Sequence, residues 1–228
     1  MGKYNKDYQG NWIHKESFEQ KRKRALKVLA LLNIAYPKAK IALRYGNTMQ
    51  LLAAVIMSAQ ATDKKINEIT ASLFKKYKTV DDFAGANQKI FEQEIRQAGF
   101  YRQKTKSIIE SAKIIRDKFN GKIPRTMEEI LQLRGVARKT ANVVLGNAYG
   151  VVEGIAVDTH VRRLAQRIGF STEDNPVKIE QDLMRLFPKK DWFKLTYVLI
   201  NHGRAVCAAK NRKCEICPLK NICPSALV

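Results

Sequence analysis

Acidic residues are scarce in this chain. Asp and Glu number 21 against 42 Lys and Arg, which gives the 228 residues a formal net charge of +21. Such an excess predicts a polyanionic partner, nucleic acid before membrane. Long apolar runs are also missing, and none reaches the roughly 20 residues that cross a bilayer. The N-terminal MGKYNKDYQGNWIHKES lacks the hydrophobic core of a signal peptide. These absences lead us to expect a protein that touches no membrane and stays in the reducing cytoplasm. Cysteine is rare: the chain has four, all beyond residue 206. In a reducing compartment they need a reason other than disulfides. No Gly/Ser linker or low-complexity segment divides the chain, and nothing repeats at solenoid period.

Strand alternation is absent and the helical period recurs. Ser17 with Gln20 makes a capping box, and the helix behind it runs through Leu26, Leu29 and Leu32 towards Pro37. MQLLAAVIMSA is apolar on every side and reads as a helix buried in a core. In TDKKINEITASLFKKY, Ile66, Ile69, Leu73 and Phe74 share one stripe with lysines opposite. Gly99 closes a helix containing Phe91 and Ile95, and the next runs from Arg102 to Phe119, stopping at Asn120-Gly121. Thr126 and Glu129 cap a short helix. Later helices start at Asp158, after Pro176 and near Asp191. The pattern predicts an all-α protein of about ten helices. A mobile basic tail is expected at 1–16, and GVVEGIAV marks a possible domain junction.

Three segments carry chemistry. In LRGVARKTANVVL a turn with Arg134 and Gly135 runs into a helix that opens on Arg138 and Lys139. A helix start favours anions, so two cations there point to a bound phosphate. Lys139 is either one more phosphate contact or a nucleophile, because a lysine at a positive helix end beside a second cation gains neutral amine. In AVDTHVRRLAQRIGF, Asp158 takes the N-cap position of a helix with Val161, Leu164, Ala165 and Ile168 on one face. A carboxylate near a neutral amine is also the equipment for Schiff-base chemistry on a sugar. Cys207, Cys214, Cys217 and Cys223 follow the spacing C-x6-C-x2-C-x5-C. Four clustered thiolates suit one Zn²⁺ or a [4Fe–4S] cluster, and the spacing alone does not settle which.

In order along the chain, SAQATD, the hairpin with RKTANVVL, AVDTHV, HGR and the cysteine spacing resemble the endonuclease III family over residues 20–224. These are [4Fe–4S] helix–hairpin–helix DNA glycosylases with AP lyase activity. The resemblance implies a six-helix barrel domain at 41–152, with the helix–hairpin–helix motif at about 126–149. It also implies a discontinuous four-helix cluster domain of 17–40 and 153–228, with its cluster loop at 207–223 and DNA in the cleft between the domains. Lys139 and Asp158 fall on the family's catalytic residues, and the four cysteines on its cluster ligands. Gln60 matches a residue that fills the gap left by a flipped base, and Phe100 stands where the family places a wedge. Arg134, Gly135, Ala137, Arg138 and His160 complete the expected DNA-binding set, and His202 braces the cluster. The implied partner is double-stranded DNA with oxidised pyrimidines or abasic sites, met by a nucleoid-associated monomer.

This chain departs from the family at its hairpin. The usual L-P-G-V-G is LRGVA here, so Arg134 replaces a rigidifying proline and Ala137 replaces a glycine where positive φ or a close approach to phosphate is expected. Phe100 is bulkier than an aliphatic wedge. Two other readings compete. An adenine glycosylase of the same superfamily lacks the lysine at 139, and a non-catalytic iron–sulfur module would bind DNA without cutting it.

Overall fold

The structure is a computed structural model that describes residues 3, 4 and 8–227. Among these are eleven α-helices, two short 3-10 helices and no strand. No helix among them is long and apolar enough to cross a membrane. The chain forms two compact units, a central one of Ile41–Glu153 and a terminal one of Met1–Lys40 with Gly154–Val228.

The central unit is built around α2 (Thr48–Met57). Asn47 caps its start by accepting from the Gln50 amide, and every residue from Met49 to Met57 is buried. Gln50 is the polar residue among them. Its side chain donates to Phe74 O and Tyr77 O and accepts from Gly46 N, so its burial leaves nothing unmade. Around α2 pack α3 (Asp63–Lys76), α6 (Tyr101–Lys118) and α8 (Arg138–Tyr149). The short α4 (Val80–Ala84) and α5 (Gln88–Glu94) lie against α6, and α7 (Met127–Ile130) precedes the hairpin into α8. Tyr77, Phe83 and Phe91 stack edge or tilted at centroid distances of 5.0 to 6.2 Å, closing the far end of this core.

In the terminal unit, α1 (Phe18–Ala35) packs on α10 (Pro176–Leu186) and α11 (Lys189–Ala205), and α9 (Thr159–Arg167) packs on both of these. Ser17 and Gln20 form the expected capping box. The buried stripe of α1 is Ala25, Val28, Leu29 and Leu32, whereas Leu26 faces solvent. Ala25 and Val28 follow the i, i+3, i+4, i+7 period that Leu26 breaks.

Residues 1, 2 and 5–7 of the tail expected at 1–16 lie outside the described residues. Its later part is tied down. Gln9 and Gly10 donate their amides to Pro224 O at 2.7 and 3.1 Å, and a 3-10 helix spans Asn11–Lys15. Glu16 then meets Arg24 in a buried bidentate pair at 2.7 and 2.8 Å. Arg24 also donates to Ile168 O, and its guanidinium lies 5.2 Å from the Trp12 ring and 5.8 Å from that of Phe170. Removing one member of such a pair strands the other charge. Glu16→Ala should therefore cost about 3 kcal/mol of stability. At this chain length that is roughly 6–12 °C of melting temperature, read by calorimetry. An unchanged melting temperature would mean that the segment before α1 contributes no stability.

Candidate active site

The hairpin between α7 and α8 is set by three features of its sequence. Leu133 and Val136 are buried and anchor its two sides in the core. Between them Gly135 has φ +74°, and a Cβ there would meet Ser107 Oγ and Cβ at 2.7 and 2.8 Å. Only glycine satisfies both demands. Ala137, by contrast, is the N-cap of α8 with φ −97° and ψ 170°, an extended conformation open to any residue. The positive φ expected at Ala137 is thus found at Gly135, and alanine at 137 introduces no backbone strain. What alanine lacks is an acceptor: the first turn of α8 has no side-chain cap and no acidic residue. Uncapped amides at a helix start favour an anion.

Lys139 is the second residue of α8. It is exposed, with no hydrogen bond or ion pair among the described residues. Arg138 beside it reaches Glu153 O at 3.4 Å. Arg134 does not stand as a lone charge, because its guanidinium pairs with Glu110 at 2.8 Å and its carbonyl accepts from Ser111 Oγ at 2.9 Å.

Gln60 and Phe100 both have left-handed backbones, at φ 56° and 48°. Neither is glycine or asparagine, and such residues persist in that region only where their surroundings hold them. Phe100 is 64 % exposed, which excludes a core aromatic behind Gly99. Gln60 is exposed at the turn that follows α2.

Asp158 caps α9. Its Oδ1 accepts from Val161 N at 2.8 Å, with the carboxylate half-buried. Ile155 N, three residues earlier, is held by the buried Glu180 carboxylate at 3.1 Å. His160 Nδ1 lies 3.2 Å from Arg163 Nη2, in contact with the body of its own unit. Lys139 belongs to the central unit and Asp158 to the terminal one.

The four cysteines are unbridged, half-buried and line one cavity of the terminal unit. Among the described residues no three His, Cys, Asp or Glu converge on a single ion. A cubane cluster does not require that convergence, since each of its irons takes one thiolate. The surroundings suit such a group. Arg167 donates to Cys207 Sγ at 3.5 Å and Leu219 N to Cys217 Sγ at 3.4 Å. His202 is buried, which pushes its pKa down to about 4. Tyr36 Oη lies 3.0 Å from its Nδ1, and Cys217 Sγ lies 3.5 Å from its Nε2. The tautomer that satisfies both contacts accepts from Tyr36 and donates to the sulfur. Burial pushes the Cys223 thiol up to about 12 and raises that of Cys217. Thiolates here therefore need a bound cation, and binding one releases protons.

Sequence reading overlooked four buried cations, Arg24 and three more. Lys104 donates to Ala59 O and Ala98 O, Arg163 to Gly203 O and Cys207 O, and Arg167 to Ala208 O and Ala209 O. Their signal was position: each falls within the stripe that its helix turns to the core.

A family model described as HhH-GPD superfamily base excision DNA repair protein matches residues 53–189. Fold and hairpin thus define a helix–hairpin–helix protein of base excision repair. The chain is 45% identical over 206 residues to an endonuclease III of Synechocystis sp., covering 90% of this chain and 94% of that one. It is 41% identical over 189 residues to endonuclease III of Bacillus subtilis, covering 82% and 86%. The solved structure of a trapped endonuclease III–DNA covalent intermediate, in an estranged-adenine complex, matches with TM-score 0.86 at 38% identity, covering 90% and 96%. The chain belongs to the endonuclease III family. It is accordingly a base excision repair DNA glycosylase with AP lyase activity.

The hairpin geometry sets a first test of the site. Gly135→Ala places a side chain at positive φ and against Ser107, a strain on the order of 1–3 kcal/mol. Fluorescence titration should show weaker binding to damaged and undamaged duplex alike, by similar factors. A variant that binds both as tightly as the parent would show that the hairpin does not hold the phosphate.

Proposed function

We propose that Lys139 is the Schiff-base nucleophile of this enzyme, that Asp158 assists it, and that the substrates are oxidised pyrimidines and abasic sites in duplex DNA. One observation carries the reading: an exposed, unpartnered amine stands on the uncapped first turn of α8, presented by a hairpin that only Gly135 can form. The turn's amides and Arg138 hold a phosphate, and the amine reaches the sugar beside it. The trapped covalent complex of the solved relative supports the same chemistry.

The reaction then follows. The damaged nucleotide leaves the stack, at least cost where it is badly paired. Lys139 Nζ attacks C1′ and the base departs with a proton; the nitrogen then loses a proton as the C1′–O4′ bond opens and O4′ takes one up, which gives the protonated imine. The imine acidifies the C2′ proton; its removal expels the 3′ phosphate, and water frees the lysine. Asp158 stabilises the positive charge that develops on the sugar and helps to move protons. Its Oδ1 is committed to Val161 N, which fixes the carboxylate. Gln60 and Phe100 occupy the space that the flipped nucleotide vacates. Cys207, Cys214, Cys217 and Cys223 would hold a [4Fe–4S] cluster, which cross-links the loop when bound.

Two measurements test this. Lys139→Gln should abolish borohydride trapping on an abasic duplex while leaving duplex affinity within a few-fold, since one charge of many is lost. Asp158→Asn keeps the cap acceptor, so stability should change little. Turnover on a thymine glycol duplex should still fall by about two orders of magnitude or more. Normal trapping by the lysine variant would end the Schiff-base assignment.

The metal is tested separately. Protein purified without oxygen should be brown and carry about four iron and four sulfide per chain. Cys214→Ala should be poorly soluble, because the loop has no other cross-link. Stoichiometric zinc without iron would overturn the cluster.

A further inference from the structure

Lys104 has no part in the chemistry above, yet it is the most constrained lysine of the central unit. It lies in the first turn of α6 and is 5 % exposed, on the stripe that continues through Ile108, Ser111 and Ile115. No carboxylate pairs with it, and its burial lowers the ammonium pKa without compensation from an opposite charge. A buried ammonium is tolerated only where its protons are used. Here Nζ donates to Ala59 O at 2.6 Å and to Ala98 O at 2.7 Å. Each carbonyl immediately precedes backbone in the left-handed region. Ala59 leads into Gln60 at φ 56°, and Ala98 into Gly99 and Phe100 at φ 67° and 48°.

We propose that Lys104 is a positioning residue that locks the Gln60 and Phe100 turns together, so that both side chains enter the base stack as one rigid pair. The proposal rests on the reading of these two residues as the gap-filling pair. Its physics is simple. Both turns hold non-glycine residues where the chain resists them, and both side chains are exposed with little packing of their own. One ammonium bridging the two carbonyls fixes each peptide's orientation and the separation between the turns. A pre-organised pair loses less freedom on entering the stack, which improves binding only where a base has been displaced.

The test uses the full-length, metal-loaded chain and two duplexes, one with a tetrahydrofuran abasic analogue and one undamaged. Lys104→Met keeps the stem and removes the donors. It should lower the preference for the abasic analogue by about tenfold, part of what the loss of two charged hydrogen bonds is worth. Affinity for undamaged duplex should stay within about twofold. In a Gln60→Ala/Phe100→Ala background the same change should lower the preference no further. A merely structural lysine would behave otherwise, weakening both duplexes equally or acting undiminished in the double background; either result overturns the proposal. So does a folded Lys104→Met with its preference intact. Should the Met variant fail to fold, Lys104→Gln, which reaches one carbonyl, is judged by the same criteria. If Gln60→Ala/Phe100→Ala itself keeps the full preference, the gap-filling reading fails. If it loses the preference while Lys104→Met does not, only the role of Lys104 fails.

Discussion

Burial of α2 on every side is the constraint on which the central unit depends. A helix with no exposed face between Met49 and Met57 must be wrapped, and α3, α6 and α8 do the wrapping. In a close-packed core these helices cannot shift without opening a cavity, at about 24 cal/mol per Å³. The proposed site residues sit at the ends of these same helices. Gln60 follows α2, Phe100 precedes α6, and Lys139 opens α8. These three residues therefore stand on or beside short turns, but the origin of each turn is fixed by the core.

The first half of α6 converts that rigidity into register. Lys104, Ser107 and Ser111 lie on one face, three and four residues apart, and each meets a different piece of backbone. Lys104 takes the carbonyls of Ala59 and Ala98, Ser107 abuts Gly135, and Ser111 donates to Arg134 O. One helix face thus locates both the Gln60 and Phe100 turns and the hairpin that leads into α8. The contacts use small or fully satisfied polar groups in places where a bulky apolar side chain would push the turns apart. The exposed Arg134–Glu110 pair adds little energy to this arrangement. It does lower the charge that Arg134 can offer to a phosphate, so proline's replacement by arginine in this hairpin is not a simple gain of a cation.

How much of this was legible depended on what kind of residue carried it. Caps were readable because their chemistry is local: Ser17, Thr126 and Asp158 each accept from the amide three residues on. The burial of α2 was readable because no polar face interrupts it. On α1 the helix was traced through Leu26, Leu29 and Leu32; the last two are buried, and Ala25 rather than Leu26 takes the place that period gives. Ala137 misled because a motif comparison assigns a glycine's role to its position, whereas the chain puts positive φ wherever the turn needs it, at Gly135. Lys104, Arg163 and Arg167 went unnoticed because charged residues are read as solvated by default. A cation on the buried stripe of a helix contradicts that default, since it must find acceptors inside.

The terminal unit applies the same rule to its cysteine loop. Residues 207–223 form turns rather than regular helix, so their carbonyls have few partners of their own. Arg163 and Arg167, one turn apart on α9 and each 5 % exposed, supply donors to the carbonyls of Cys207, Ala208 and Ala209. Guanidinium suits this task better than ammonium, because its planar fork serves several acceptors at once without losing its charge. One of those charges, on Arg167, also donates to the Cys207 sulfur at 3.5 Å. The helix that Asp158 caps therefore also holds the loop at its far end. A loop with so little packing of its own closes only when its carbonyls and its sulfurs are satisfied together. The arginines meet the first need, and the proposed cluster would meet the second.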